Sequence, residues 1–115
     1  MKYLALLFGD ETTGPEPETE EFGLLLKQYG EFHAKHSAEI LGGEALFPTM
    51  SATTLQVRNG ETTTTDGPFV EMKEALGGYY VLDCDNIDEA IQIASDIPAA
   101  KDGSIELRPI MELPE

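Results

Sequence analysis

The sequence predicts an α+β protein whose mainly antiparallel sheet carries helices on one face. Three observations support this fold class. A strand pattern is followed by a helix pattern and a further strand pattern near the start of the chain, the same order recurs near its end, and an Asn-Gly pair lies between two extended segments in the middle. The chain has 115 residues, which suits one hydrophobic core. We therefore expect a single domain over residues 1–115.

The first unit is predicted to be a buried strand, a long amphipathic helix and a short strand. The apolar run Tyr3–Phe8 is too short for a helix and stops at Gly9-Asp10. From about Pro17 to Leu41, apolar residues recur at helical spacing, and we expect Gly42-Gly43 to end this helix. The apolar positions are Phe22, Leu25, Leu26, Tyr29, Phe32 and Ile40. A strand around Glu44–Phe47 follows.

A β-hairpin is predicted between the two units. The segment Thr53–Asn59 alternates apolar and polar residues, and Asn59-Gly60 follows it directly. Asn and Gly both accept a positive φ, so the pair favours a two-residue type I′ turn. The turn would place Arg58 opposite Glu61 and make Thr62–Thr65 the second arm.

The second unit is predicted to begin with a strand and continue into a capped helix. Gly77-Gly78 is expected to open the strand Tyr79–Cys84. Asn86 is a good N-cap and Glu89 follows it by three positions, as in a capping box, while Pro98 ends the helix. The expected buried face of this helix consists of Ile87, Ala90, Ile91, Ala94 and Ile97.

The last predicted strand, Ser104–Leu113, alternates apolar and charged residues. Pro109 lacks an N–H donor, so we expect this strand to lie at an edge or to bend at Pro109. Two strand–helix–strand crossovers on one antiparallel sheet indicate a ferredoxin-like sandwich with an inserted hairpin and one uncovered sheet face. If that face carries Leu55, Val57 and Ile105, a second copy of the chain is expected to cover it.

The charge balance and the missing motifs exclude several classes of function. Lys and Arg number 7 against 22 Asp and Glu, and the resulting net charge of −15 repels nucleic acid. The start, MKYLALLFGD, is too short to span a membrane and lacks a cleavage site. No GxGxxG, P-loop or GxSxG pattern occurs, so the sequence supports neither a nucleotide-binding fold nor a serine hydrolase. We expect a protein that works without an organic cofactor.

The only cysteine is expected to be unreactive. Cys84 lies between Asp83 and Asp85, whose charges raise the pKa of a thiol. A lone cysteine without a CxxC motif also fits a reducing compartment, so we expect a cytoplasmic protein.

Three segments together resemble the YCII-related domain family, specifically its DGPF branch. They are Asp66-Gly67-Pro68-Phe69 with Glu71 and Lys73-Glu74 after it, Leu76-Gly77-Gly78-Tyr79-Tyr80, and Ile105-Glu106-Leu107-Arg108-Pro109-Ile110. The resemblance covers nearly the whole chain, although Leu107 stands where the family usually has Val. It implies a ferredoxin-like fold of the dimeric α+β barrel group and a small enzyme or ligand binder.

The Asp66–Phe69 segment has two interpretations. The structural one is a turn in which Asp66 hydrogen-bonds the backbone two residues on, Gly67 allows an unusual φ and Pro68 fixes the exit. The functional one is that this turn holds the Asp66 carboxylate at the mouth of a pocket beneath the Phe69 ring, where it serves as a general acid or base.

His33 and His36 fall within the apolar arc of the first helix, three residues apart and on one face. Hydrogen-bonded core histidines are the commoner case, but two imidazoles facing the sheet would also supply a proton-transfer group. A metal site with a nearby carboxylate is a further alternative. The sequence has no HExxH-like motif, and no metal is predicted.

Two cations and two tyrosines complete the candidate site. Lys73 and Arg108 would bind an anionic group of a substrate, since cations are scarce in this chain, although a solvated ion pair of Lys73 with Glu71 is the simpler interpretation. Tyr79 and Tyr80 point to opposite faces of their strand, so one packs in the core and the other reaches a pocket or the seam between subunits.

These observations lead to one hypothesis and one alternative. The hypothesis is a cytoplasmic homodimer that acts on or binds a small organic molecule, with Asp66 as proton-transfer group assisted by His33 or His36. The alternative is a non-catalytic dimeric module that regulates another protein through its acidic surface.

Overall fold

The structure is a computed structural model that describes residues 1–114. In chain order the strands are β1 (Lys2–Gly9), β2 (Ile40–Ala45), β3 (Thr53–Arg58), β4 (Glu61–Asp66), β5 (Ala75–Asp83) and β6 (Ser104–Pro109). The helices are α1 (Glu20–Lys35), α2 (Ile87–Ala94) and α3 (Ala99–Asp102), and a single 3-10 turn covers Thr49–Ser51.

The main sheet has four antiparallel strands in the order β2-β5-β1-β6. Each strand–helix–strand unit therefore joins two parallel strands with one strand of the other unit between them, which is the ferredoxin-like arrangement. The predicted α+β fold is confirmed. Strand β6 is an edge strand, as expected from Pro109.

The core lies between the helices and one side of this sheet, which we name the helix side. In β1, alternate residues Tyr3, Ala5 and Leu7 are buried there, opposite Leu82, Tyr80 and Gly78 of β5. The helices and the turn after α2 cover these strands with a set of buried side chains, namely Phe32, Ala90, Ile93, Ala94 and Ile97. The period-two alternation of strands thus selects one face of the sheet for the core.

Helix α1 is shorter than the apolar spacing predicts. It begins after Thr19, whose hydroxyl oxygen accepts a hydrogen bond from the Phe22 N–H at 3.2 Å. It ends at Lys35, so the predicted extension to Leu41 is wrong. Leu26, which was expected in the buried arc, is 57% exposed, and Phe32 is the one buried residue of this helix.

Gly42-Gly43 belongs to strand β2 and does not cap the helix. Ile40 pairs with Leu82 and Gly43 with Tyr80 of β5. A Cβ on Gly43 would collide with the Tyr79 carbonyl oxygen and the Tyr80 ring. The glycine is thus required by the close approach of two strands, which the local sequence does not reveal.

The predicted start of helix α2 is confirmed, but its buried face is partly wrong. The Asn86 side chain accepts a hydrogen bond from the Glu89 N–H at 2.9 Å. Ile93 is buried, whereas Ile87 and Ile91 are 42% and 50% exposed. The helix ends at Ala94, earlier than Pro98, and a turn carries Ile97 into the core.

The hairpin forms as predicted. Asn59 and Gly60 have φ values of 53° and 78°, as a type I′ turn requires, and Arg58 lies opposite Glu61. Strands β3 and β4 form a separate two-stranded sheet. We name residues 53–66 the hairpin arm.

The uncovered side of the main sheet, which we name the open face, differs in composition from the expectation. It carries the partly exposed side chains of Leu4, Leu6, Phe8, Leu76, Tyr79 and Val81. Ile105 instead packs against the core on the helix side. Leu55 and Val57 are on the hairpin arm, because the hairpin does not join the main sheet. In residues 1–114, no helix has the length and apolar character needed to cross a membrane.

Candidate functional site

The Asp66–Phe69 segment forms a sharp corner where the hairpin arm returns to the main sheet. Gly67 has a φ of 103°, in the left-handed region that favours glycine. Its N–H donates to the Ala52 carbonyl oxygen at 2.7 Å, and its carbonyl oxygen accepts from the Thr54 hydroxyl at 2.9 Å. The corner is therefore held by the backbone of Gly67.

The Asp66 side chain does not hold the corner in the way the structural interpretation expected. A hydrogen bond to the backbone two residues on would need an N–H at Pro68, and proline has none. Within residues 1–114, the Asp66 carboxylate makes no hydrogen bond or ion pair, and the residue is exposed. The carboxylate is thus available to solvent or a ligand.

A cleft of about 400 Å³ lies beneath this corner, and we name it the corner cleft. It is lined by Thr49, Met50, Pro68, Val70, Glu71, Met72, Ala75 and Leu76. The Glu11 carboxylate accepts hydrogen bonds from the N–H and the hydroxyl of Thr49, both at 2.8 Å, which fix this wall to the end of β1. The cleft thus has mainly apolar walls with one hydroxyl and one carboxylate.

The other residues predicted around the corner lie outside the lining of the cleft. Phe69 is 76% exposed, so its ring is not part of the core. Lys73 is exposed and adds its charge to the causes that lower the pKa of Asp10, of which the hydrogen bonds from Thr12 are the largest. Arg108 is exposed on β6, opposite Leu4 on the open face.

A second chemical cluster lies on the helix side, where α1 meets β5. His33 Nε2 and the Tyr80 hydroxyl oxygen are 2.6 Å apart and share a hydrogen bond. Burial, with a smaller effect of the Tyr29 phenol, raises the pKa of Tyr80 from 10.0 to about 12, so its hydroxyl keeps its proton at a pH at which an exposed tyrosine has lost it. Of the two tyrosines, Tyr80 is therefore the core residue and Tyr79 lies on the open face.

His36 makes a separate contact near the ends of α1 and α2. Its Nε2 lies 2.7 Å from Asp96 Oδ2, and Lys35 Nζ lies 3.0 Å from the same oxygen. The hydrogen bonds from His36 and then Lys35 hold the pKa of Asp96 below its ordinary value. This contact ties the end of the first helix to the turn after the second.

The structure joins some of the predicted site residues and separates others. His33 and Tyr80 meet, but no hydrogen bond, ion pair or common cleft within residues 1–114 links Asp66 to either histidine. The corner adjoins Leu76 of the open face, whereas both histidines contact the helix side. The same residues contain no cluster of three His, Cys, Asp or Glu side chains that could hold a metal ion.

Cys84 is buried, and its thiol pKa is raised as predicted. Burial is the largest cause, followed by the charges of Glu89, Asp83 and Glu39. The neighbouring carboxylate charges thus raise the thiol pKa less than burial in the core does.

Sequence reasoning missed Thr49, Met50 and Glu11 at the corner cleft and Asp96 beside His36. Thr49 and Met50 are in the 3-10 turn, which the sequence signals only through Pro48. Glu11 and Asp96 reach their partners across 38 and 60 residues of chain. No local pattern identifies such distant contacts.

Comparison with known proteins places these features in a wider group. A family model of the YCII-related domain matches residues 3–114. An uncharacterized protein of Rhizobium meliloti (strain 1021) is 39% identical over 114 residues, which cover 96% of this chain and 92% of that protein.

A weaker likeness exists to a solved structure, the 5-chloro-2-hydroxyhydroquinone dehydrochlorinase of Burkholderia phenoliruptrix in complex with 2,5-dihydroxybenzoquinone. The sequence identity is 14%, the TM-score is 0.49, and the match covers 96% of this chain and 94% of that one.

Proposed function

Because the chain belongs to the YCII-related domain family, we propose that it is a homodimeric protein that acts on or binds a small organic molecule in the corner cleft. The main observation in support of this proposal is the corner cleft. Its volume of about 400 Å³ falls in the range of small-molecule sites, and its apolar walls with few polar groups are typical of them.

The lining of the cleft indicates the chemistry of the ligand. Met50, Val70 and Met72 offer flexible or branched apolar contacts, and methionine in particular adapts to aromatic rings. Thr49 and Glu71 supply the polar groups that would orient the ligand. A compact, largely apolar molecule with one or two hydrogen-bonding groups fits these walls.

Asp66 is the proposed proton-transfer group. Its carboxylate is exposed and precedes the cleft wall at Pro68 by two residues. Lys73, which follows Met72 of the wall, is the cation proposed to attract an anionic group of the ligand. Arg108 is not assigned to the cleft, because it lies opposite Leu4, four residues along β1 from Phe8, which pairs with Leu76 of the cleft lining. We assign no catalytic role to His33 or His36, because they are hydrogen-bonded to Tyr80 and Asp96 on the helix side.

The homodimer is supported by the open face. Its six apolar side chains are only partly covered within one chain, and a second copy would bury them. A cytoplasmic location is part of the proposal and is supported by the buried, unpaired Cys84, which fits a reducing compartment.

The cleft is tested by a thermal-shift screen of small aromatic and aliphatic compounds, followed by calorimetric titration. Val70→Glu places a charge in the cleft wall, at a residue that is 59% exposed and should tolerate it. We expect affinity to fall at least tenfold. Met111→Glu, at an 81% exposed residue outside the cleft, is the matched control. Equal affinity in the wild type and Val70→Glu would rule out the cleft.

The role of Asp66 is tested once a turned-over ligand is known. Asp66→Asn should lower turnover at least 100-fold with little change in affinity, a size typical of lost general acid–base catalysis. Asp88→Asn removes a carboxylate from the exposed first turn of α2 and serves as the control. Full turnover in Asp66→Asn would exclude the assignment.

A non-catalytic interaction module is the second candidate. It is favoured by large apolar side chains exposed around the cleft, since Phe47 and Met50 are each 85% exposed and Phe69 is 76% exposed. Such a surface is also suited to a protein partner. A screen without any stabilising ligand, together with a stable partner recovered by affinity purification, would favour this candidate over the first.

A further inference from the structure

We propose that the hairpin arm is a clasp, which packs its Leu55 and Val57 side chains onto the open face of a second copy of the chain. This inference rests on the homodimer of the proposed function and adds which segment forms the interface. Leu55 is 60% exposed and Val57 is 52% exposed, and they point to the same side of β3. Their cross-strand neighbours Thr64 and Thr62 carry no larger apolar group to cover them.

The hairpin arm cannot cover its apolar side by itself. An isolated two-stranded hairpin is marginally stable in water and requires packing against something else. The arm does not pack on the main sheet of its own chain, as the dimensions of the molecule, 48 × 45 × 19 Å, indicate. A thickness of 19 Å is about one sheet and one layer of helices, so the arm extends beside the sheet and does not fold over its open face.

The exposed surface of the single chain is much larger than that of a compact monomer. It is 8675 Å², whereas a compact monomer of 12.6 kDa exposes about 6,200 Å². The excess is roughly 2,500 Å² per chain, or about 5,000 Å² for two chains, which lies at the upper end of the total area that permanent homodimers bury. The hairpin arm, with exposed Leu55 and Val57, and the partly exposed open face both contribute to this excess.

The dimensions of the arm match those of the sheet it would cover. Each arm strand has six residues. Such a strand is about 20 Å long, and four strands at their usual spacing span about 15 Å, so one arm can cross a whole open face. In a two-fold dimer the contact occurs twice, since each copy offers both an arm and a face.

The charges permit this contact in spite of the net charge of −15. By their register, the charged residues on the open side of the strands are Lys2, Glu44, Asp83, Glu106 and Arg108. Two of these residues are positively charged and three are negatively charged, so the charges on the open face nearly cancel. The acidic excess is therefore elsewhere on the surface, and two copies can meet at the open face with little repulsion.

The first test is sedimentation velocity over a concentration series. The double variant Leu55→Lys/Val57→Lys should raise the dimer dissociation constant at least tenfold. It also brings the net charge closer to zero, so added repulsion cannot explain a loss. Thr63→Lys/Thr65→Lys places the same charges on the other side of the arm, at exposed residues, and should change the constant by less than about threefold.

The second test identifies the contact directly. Leu55→Cys is labelled with a photo-crosslinker while the buried Cys84 stays unlabelled, and isotope-labelled and unlabelled chains are mixed. We expect cross-links between copies, from position 55 to peptides of β1 or β5. Cross-links within one copy alone would overturn the clasp. So would a Leu55→Lys/Val57→Lys protein that dimerises like the wild type, or a Thr63→Lys/Thr65→Lys control that loses as much dimer affinity as the test variant. A monomeric wild type would overturn the homodimer as well, which separates the two failures.

Discussion

The His33 imidazole and the Tyr80 phenol are joined across the contact between α1 and β5, with 2.6 Å between His33 Nε2 and the Tyr80 hydroxyl oxygen. The Phe32 ring lies beside both, with its centroid 5.9 Å from His33 and 5.2 Å from Tyr80. The hydrogen bond is partly buried and spans 47 residues of chain. It therefore fixes the position of the first helix on the sheet.

Removal of the Tyr80 hydroxyl should destabilise the protein. Tyr80→Phe keeps the ring in the core and deletes its hydrogen bond to His33, which is worth roughly 0.5–1.5 kcal/mol. Urea denaturation at a fixed protein concentration measures the change in the free energy of unfolding. Tyr79→Phe is the control, since the Tyr79 hydroxyl has no hydrogen-bond partner within residues 1–114. Equal stability of Tyr80→Phe and wild type would contradict the prediction.

Tyr80 should also control stability at high pH. Burial raises its pKa in the folded protein from 10.0 to about 12. Between these two pH values, the folded state keeps a proton that the unfolded state has lost. The contribution of the neutral Tyr80 hydroxyl to the free energy of unfolding is complete below the pKa of the unfolded state. It disappears as the pH rises through the pKa of the folded state. Absorbance titration of wild type and Tyr80→Phe should give a difference curve with its midpoint well above that of free tyrosine. A midpoint near 10.0 would show that Tyr80 is not shielded.

Asp96 should show the opposite behaviour in acid. Its lowered pKa results first from the His36 hydrogen bond and then from Lys35. The stabilisation is present above the unfolded pKa of Asp96 and is lost as pH falls through the lower folded value. In His36→Asn, carbon NMR of the carboxyl group should find the Asp96 pKa raised toward its ordinary value, with a smaller rise in Lys35→Met. An identical Asp96 titration in wild type and His36→Asn would refute this account.

The two adjacent glycines of β2 should respond differently to alanine. At Gly43 a Cβ would meet the Tyr79 carbonyl oxygen and the Tyr80 ring, so Gly43→Ala must displace β2 from β5 and should cost about 1–3 kcal/mol. At Gly42 a Cβ meets nothing within 4 Å, so Gly42→Ala should be neutral or slightly stabilising. Thermal unfolding of both variants tests the difference. A Gly43→Ala protein as stable as Gly42→Ala would disprove the close approach of the strands.

Elements with local causes could be predicted from sequence. Asn59-Gly60 forms its turn because both residues accept a positive φ, and Asn86 caps α2 because its side chain bonds an N–H three residues away. The corner at Gly67 is also local, although its actual hydrogen bonds to Ala52 and Thr54 are not. For the candidate site, the sequence identified the Asp66–Phe69 corner but missed the opposite wall at Thr49 and Met50.

The sequence by itself determined the order of the elements, the α+β class, the family and the corner, since each is recognised from short patterns whose own residues are close together in the chain. Only the tertiary structure decided that α1 ends at Lys35, that Tyr80 meets His33, and that Asp66 lies apart from both histidines. The physical reason is the same in each case. Strand pairing and side-chain packing join residues that are more than 30 positions apart. Their free energy outweighs the helical spacing that would otherwise have carried α1 through Ile40.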